Sequence, residues 1–227
     1  MKTIETINAM ITESRETYRT TAATVTAPIK IHISAGNAKL GKVPNFSLVP
    51  GRTCSAEACK TCLKEGCYAM KSYRVYPSVK KAWDDNTAAA VENLPALEAE
   101  LNRYFAGMNA PRYFRLHVGG DFVSREYAAM WARVMEKAPH TNFLAFTKQF
   151  DHIRGVQFPA NASIVLSAWP GCEIPSDLRS LYSVAWLDDG TGSRIPADAI
   201  PCPGNCEHCG ACWGLAKIKL DVCFTKH

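Results

Sequence analysis

The sequence predicts an α/β fold: a partial parallel (β/α) barrel over residues 1–200, with a cysteine-rich loop at 54–67, followed by a small cysteine-rich metal-binding lobe at 201–227. Three observations support it. Period-2 apolar segments alternate with helix-period segments, which is the signature of a parallel sheet with right-handed crossovers. One of the strand segments carries charged and polar residues on the face opposite its apolar one, which suits a lumen rather than a closed core. Finally, eight of the ten cysteines fall into two sets of four, Cys54, Cys59, Cys62, Cys67 and Cys202, Cys206, Cys209, Cys212, leaving Cys172 and Cys223 outside.

Residues 3–18 place Ile4, Ile7, Met10, Ile11 and Tyr18 at helical spacing and predict an amphipathic helix. Ile29 to Ser34 then alternates, with isoleucines on one face and Lys30, His32 and Ser34 on the other, as a strand does. The loop Ala35–Lys42 carries two glycines and two lysines. It reads either as a backbone and lysine cradle for an anionic group near the cysteines or as a turn-rich connector. A long connection through Pro44, Pro50 and Gly51 leads to the first cysteine set.

Ser78 is the expected N-cap of a helix running through Trp83 and Ala90, and Asn93-Leu94-Pro95 restarts a second helix to about Phe105. The segment Arg112–Phe122 predicts a strand with Phe114, Leu116, Val118 and Phe122 on one face and Arg115, His117, Gly119 and Asp121 on the other. Ser124 caps the next helix, whose Tyr127, Met130, Trp131 and Val134 form one stripe ended by Pro139. Strands follow at 143–148, 163–169 and 183–187, and the connection 151–162 is too rich in breakers for a full helix.

Length and charge narrow the function. A chain of 227 residues that is 47% apolar can bury a full core, and no window approaches the ~18 apolar residues of a membrane span. The N-terminus lacks a signal-peptide h-region, so a cytoplasm is expected, where thiols stay reduced and grouped cysteines are metal ligands rather than disulfides. The formal charge of +5 counts every cysteine as neutral. Two four-iron clusters, each about −2 with its four thiolates, would leave roughly +1, so the basic excess balances the clusters without a nucleic-acid partner.

The first set is spaced C-x4-C-x2-C-x4-C and the second C-x3-C-x2-C-x2-C. Such short loops aim thiolates at one soft metal centre. Successive C-x2-C steps at Cys206, Cys209 and Cys212, with the Cys202-Pro203 pair upstream, carry the ingredients of a ferredoxin-type [4Fe-4S] run. Zinc remains the alternative metal, with His208 as a further ligand. Under that reading the chain is a zinc-stabilised binding module. Arg52, Lys60, Lys64, Lys71 and Arg74 then form a basic rim for nucleic acid or protein, and Tyr68, Tyr73 and Tyr76 are available for stacking.

Strand, cysteine loop, helix, then a strand ending in Gly119-Gly120-Asp121 resembles the first half of the radical S-adenosylmethionine barrel. The resemblance implies one or two [4Fe-4S] clusters and a cofactor pocket shaped by Arg115, His117, Gly119, Gly120, Asp121 and Lys148. Three departures argue against full radical chemistry: the first step is C-x4-C, Asp121 is one methylene shorter than the family's glutamate, and Cys67 supplies a fourth thiol where the family leaves an iron open for S-adenosylmethionine. His117 reads alternatively as a hydrogen-bonded strand histidine, Asp121 as a helix-entry acid beside Ser124, and Cys172 as either an extra ligand or a buried thiol.

A second resemblance covers more of the chain. Ser34-x-Gly36-Asn37-x-Lys39-Leu40-Gly41, Ser47-Leu48-x-Pro50-Gly51 before Cys54, Cys67-Tyr68-Ala69, Tyr76-Pro77 and Arg115-Leu116-His117-Val118-x-Gly120-Asp121-Phe122 are similar in order to the Gene Product 88 family of bacteriophage proteins. It implies a phage-encoded protein acting in the host bacterial cytoplasm, with no particular reaction, substrate or redox partner attached.

Overall fold

A computed structural model describes residues 29–63, 66–169, 171–188, 190–191 and 194–225. The helix expected at 3–18 lies outside these residues. One mixed sheet organises the chain, in the order β1-β2-β3-β4-β5-β6-β8-β7. Its strands are β1 (Ile33–Ser34), β2 (Asn45–Phe46), β3 (Tyr113–Leu116), β4 (Asn142–Thr147), β5 (Ala162–Ala168), β6 (Ser183–Asp188), β7 (Ile200–Pro201) and β8 (Val222–Thr225). Only the β1–β2 pair is antiparallel; every other pairing is parallel.

Two helices of the connection from β2 to β3, α3 (Pro77–Glu92) and α4 (Leu94–Ala106), cover one sheet face together with α5 (Arg125–Glu136). The apolar stripe at Tyr127, Met130, Trp131 and Val134 is completely buried against Phe46, Phe114 and the strand residues beside them, as the period predicted. Asn93 caps α4 by accepting from the Ala96 amide, and Ser124 caps α5 by accepting from Tyr127. Helix α3, in contrast, starts two residues earlier than expected. Tyr76 is its N-cap and Pro77 its first residue, so Ser78 already lies inside the first turn. A proline at that position sacrifices no hydrogen bond.

The opposite face is covered by the chain's own C-terminal segment. Leu144, Val165 and Ala185 pack there against Trp213, Leu215 and Val222, with Leu40 and Val43 from the opposite end of the chain. Trp213 donates its indole N–H to the Phe114 carbonyl at 3.1 Å, and Ser163 donates to the Trp213 carbonyl at 2.9 Å. The segment after residue 200, expected as an appended lobe, thus contributes β8 to the sheet and a lid to its second face. Buried Asp221 locks it there by accepting from the Val184 amide, the Trp186 indole and Arg179.

Two strand expectations need correction. The alternating segment 29–34 pairs only over Ile33–Ser34, although Ile29, Ile31 and Ile33 do face the core. The strand predicted through Phe122 ends at Leu116, because His117 adopts φ +56°. A left-handed residue breaks the two-residue alternation, so the predicted sides fail at His117 and Val118, while Phe122 returns to the Phe114 core. Val118 packs with the second-face cluster instead of with Phe114, and the His117 ring turns to the helix side.

Candidate metal centres

The first cysteine set follows β2 at the C-terminal end of the parallel strands. Two short helices carry it, α1 (Ala56–Thr61) and α2 (Tyr68–Val75). Ser55 caps α1 by accepting from the Ala58 amide, which sets Cys59 within the helix and Cys62 at its C-cap. Cys54 precedes the cap and accepts from the Gly51 amide at 3.3 Å; Cys59 donates to the Gly51 carbonyl at 3.5 Å. Cys67 is the N-cap of α2.

These thiols influence one another. Burial pushes Cys54 up to about 12, with the charges of Cys59 and Cys67 adding to the rise. The adjacent Cys62 thiol holds Cys67 below the usual thiol range and is itself raised, while the amides of Ala69 and Met70 and the charge of Lys148 also favour the Cys67 thiolate.

Asp121 and Thr53 brace this loop. The Asp121 amide donates to Thr53 Oγ1 at 3.0 Å, Thr53 Oγ1 donates to the Val49 carbonyl at 3.0 Å, and Gln149 donates from its side chain to the Thr53 carbonyl at 2.9 Å. The Asp121 carboxylate accepts from Thr147 Oγ1 at 2.6 Å, the Lys148 amide at 2.8 Å and the Phe122 amide at 2.8 Å. Burial raises its pKa, and those three donors oppose the rise. Its carboxylate therefore ties β3 to β4, in keeping with a structural reading of this acid. Gly120, at φ +77°, is packed so closely that a Cβ would stand 2.5 Å from Thr53 Oγ1, and a Cβ on Gly119 would meet the Trp83 ring at 2.6 Å.

The other residues expected to shape a cofactor pocket separate. Arg115 does face the second side of the sheet, its guanidinium 4.1 Å over the Phe146 ring and its Nε donating to the Leu116 carbonyl. Lys148 lies over Trp169 at 5.2 Å. His117 does not join them. Its ring packs under α5 against Phe122, its Nε2 pairs with the Tyr127 hydroxyl at 3.0 Å, and burial drives its pKa down to about 3. Cys172 is buried within electrostatic reach of Lys148, so a fifth thiol stands beside the first set.

The second set lies on the other side of Arg115. Cys202 follows β7 and donates its amide to the Cys223 carbonyl at 2.8 Å. Cys206 and Cys209 begin and end α8 (Cys206–Cys209), and Cys212 sits in the 3-10 turn Ala211–Gly214. Asn205 caps α8, and Gly210 ends it in the left-handed conformation. All four thiols line one pocket with Trp213 and Val222. Burial pushes Cys212 up to about 12, and the Arg115 charge opposes it. The loop at 35–42 serves this set rather than the first: Glu207 accepts from the Lys42 amide at 3.1 Å, and the Cys206 amide donates to the Lys39 carbonyl at 3.1 Å.

All ten cysteines are free thiols. Among the described residues, no three His, Cys, Asp or Glu side chains converge tightly enough to form a metal site as they stand.

The sequence profile described as Gene product 88 matches residues 13–171. The chain belongs to this family. Two curated relatives are the Gene 88 protein of Mycobacterium phage L5, 30% identical over 127 residues, and that of Mycobacterium phage D29, 29% identical over 127 residues. Each alignment covers 52% of this chain and 53% of the relative, so the chain spans about half the length of the curated relatives it matches. No solved structure matches. These comparisons lend the radical S-adenosylmethionine resemblance no support. The Gene product 88 match takes in the first cysteine set, Asp121 and Lys148, and ends before Cys202.

In this Gene product 88 protein several parts of the site were not singled out from sequence: Thr53, Gln149 and Trp169. Thr53 directly precedes Cys54 and Gln149 directly follows Lys148, and adjacency to marked residues was the available signal. The basic rim is partly realised. Lys60, Lys71 and Arg74 are exposed, Lys64 lies outside the described residues, and the Tyr76 ring is exposed. Tyr73 is unavailable for stacking on bases, since it lies against Trp83 and donates to Asp84 at 2.6 Å. No helix among the described residues is long and apolar enough to cross a membrane.

Proposed function

We propose that this chain is a phage-encoded iron–sulfur protein of the host cytoplasm, in which Cys54, Cys59, Cys62 and Cys67 hold one [4Fe-4S]-type cluster and Cys202, Cys206, Cys209 and Cys212 a second. The observation that carries the reading is that residues 148 apart in sequence at their first members form two separate thiol sets, each gathered by its own short helices and neither oxidised to disulfide. Thiolate-only donor sets suit iron–sulfur clusters and zinc and exclude hard cations. Burial keeps Cys54 and Cys212 protonated without metal, so loading would release protons and draw the thiols inward.

Seven mutually parallel strands, β2 to β8, with the first thiol loop after the first of them, support a partial-barrel description and a redox or radical-S-adenosylmethionine-like role. A cluster bound there would supply electron transfer, or Lewis-acid binding if one iron stays open. The chain's own residues would hold and orient it. Thr53 and Gln149 fix the entry to the loop, while Lys148 places a positive charge beside Cys62 and Cys67.

One observation favours a second reading as a zinc-stabilised binding module: Lys60, Lys71 and Arg74 carry no ion pair among the described residues, and they lie beside the first thiol set. Anaerobic purification with metal and acid-labile sulfide analysis separates the two. Iron and sulfide in comparable amounts support the cluster reading; zinc without sulfide supports the module.

A further inference from the structure

Two half-buried cations reach the two thiol sets, Arg115 the second and Lys148 the first. Arg115 and Lys148 take part in none of the ion pairs among the described residues. Among the described residues Arg115 makes one side-chain hydrogen bond, from Nε, and its terminal nitrogens and Lys148 Nζ make none. Among the described residues the acid within reach of both is Asp121, and its carboxylate already accepts from three internal donors. A cation withdrawn from water without a partner is unfavourable, so a fold that carries one on β3 and one just after the neighbouring β4 selects for an anion.

The walls have the same character. Each cation is seated on an aromatic face, Arg115 on Phe146 and Lys148 on Trp169, which fixes its direction. The Trp169 indole N–H is buried and has no acceptor among the described residues. Across from them, Tyr68 anchors its hydroxyl to the Val118 carbonyl at 2.8 Å while its ring stays 66% exposed. Arg115 lies within electrostatic reach of Tyr68, Cys206 and Cys212, and Lys148 within that of Cys62 and Cys67.

We propose that Arg115 and Lys148 form the anion-binding end of a small-molecule site between the two thiol sets, taking a carboxylate or phosphate group, with Tyr68 and Trp169 as flat walls. The proposal deepens the functional reading above by naming the ligand class, and it rests on that reading only in that the thiol sets bound the space. Arg115 supplies a planar two-pronged donor and Lys148 a point charge, a combination matched to an oxyanion.

Calorimetric titration of the full chain, prepared anaerobically, with inorganic phosphate, pyrophosphate and succinate tests it. Saturable binding of at least one probe is expected, weakened about tenfold or more in Arg115→Gln and in Lys148→Gln, partly restored in Arg115→Lys, and unchanged in Arg103→Gln on the outer surface. The tighter of phosphate and succinate identifies the group. Absence of saturable binding by the wild type, or equal weakening in Arg103→Gln, overturns the proposal. Metal analysis accompanies each variant: loss of metal from the two site variants assigns the cations to neutralising thiolates and also overturns it. Wild type that binds the anion without containing metal leaves this site standing and removes the cluster reading; metal without anion binding does the reverse.

Discussion

The backbone amide of Asp121 donates to Thr53 Oγ1 at 3.0 Å, joining the turn after β3 to the residue that precedes Cys54. Both partners are buried, and the same hydroxyl donates to the Val49 carbonyl. The first thiol loop is thereby positioned from the sheet.

Replacing Thr53 with valine keeps the shape and removes the hydroxyl, leaving the buried Asp121 amide without its acceptor, while the Val49 carbonyl keeps its hydrogen bond from the Thr53 amide at 3.3 Å. A loss of about 1–3 kcal/mol in denaturant unfolding is expected, with faster hydrogen exchange over 54–63. Thr53→Ser should retain most of the stability. Equal stability of the valine variant would show that the brace is not needed.

Gly120→Ala tests the same junction from the other side. Gly120 and Gly155 have nearly the same φ, +77° and +76°, but a Cβ on Gly155 meets nothing within 4 Å, whereas one on Gly120 collides with Thr53 and Leu48. Gly155→Ala should cost about 1–2 kcal/mol from the left-handed backbone alone. Gly120→Ala should cost more, and a comparable loss in the two variants would deny the close approach.

How much of this was legible in the sequence depended on the length of each signal. The strands at 142–147, 162–168 and 183–188 are long apolar runs between breakers, and Ser124 and Asn93 are caps followed by clear periodicity, so all were readable. Strand β2 is only Asn45–Phe46 behind Pro44, and β8 follows a segment dominated by cysteine, glycine and proline, so neither shows a pattern long enough to register. The apparent alternation through 122 was misleading, since nothing in the residue type of His117 announces a positive φ. Spacing revealed the thiol sets; that the Asp121 carboxylate is occupied by Thr147 and two amides depends on how β3 meets β4, which no local pattern encodes.

His117 gives the pH dependence. Its folded pKa of about 3 lies below the ordinary 6.5, so the unfolded chain binds the extra proton first as pH falls. This group contributes no pH dependence above about 6.5, and stability declines between there and about 3, by up to roughly 1.4 kcal/mol per pH unit. His117→Gln should remove that slope. An unchanged slope in the variant, measured by denaturant unfolding at several pH values, would place the titrating group elsewhere.

Chelation under anaerobic conditions should loosen the thiol loops without releasing the C-terminal strand. Faster hydrogen exchange is expected over 54–67 and 202–212, with protection retained over 213–225, where Trp213, Asp221 and β8 are held by the sheet. Uniform loss across 202–225 would mean that metal, not the sheet, holds the segment.

The most direct measurement is the iron and sulfide content, with Mössbauer spectra, of anaerobically isolated wild type, Cys62→Ala and Cys206→Ala. The account predicts two cluster signals in the wild type, loss of one in Cys62→Ala and of the other in Cys206→Ala. Zinc in place of iron, or loss of all iron from either single variant, would contradict two independent iron–sulfur centres.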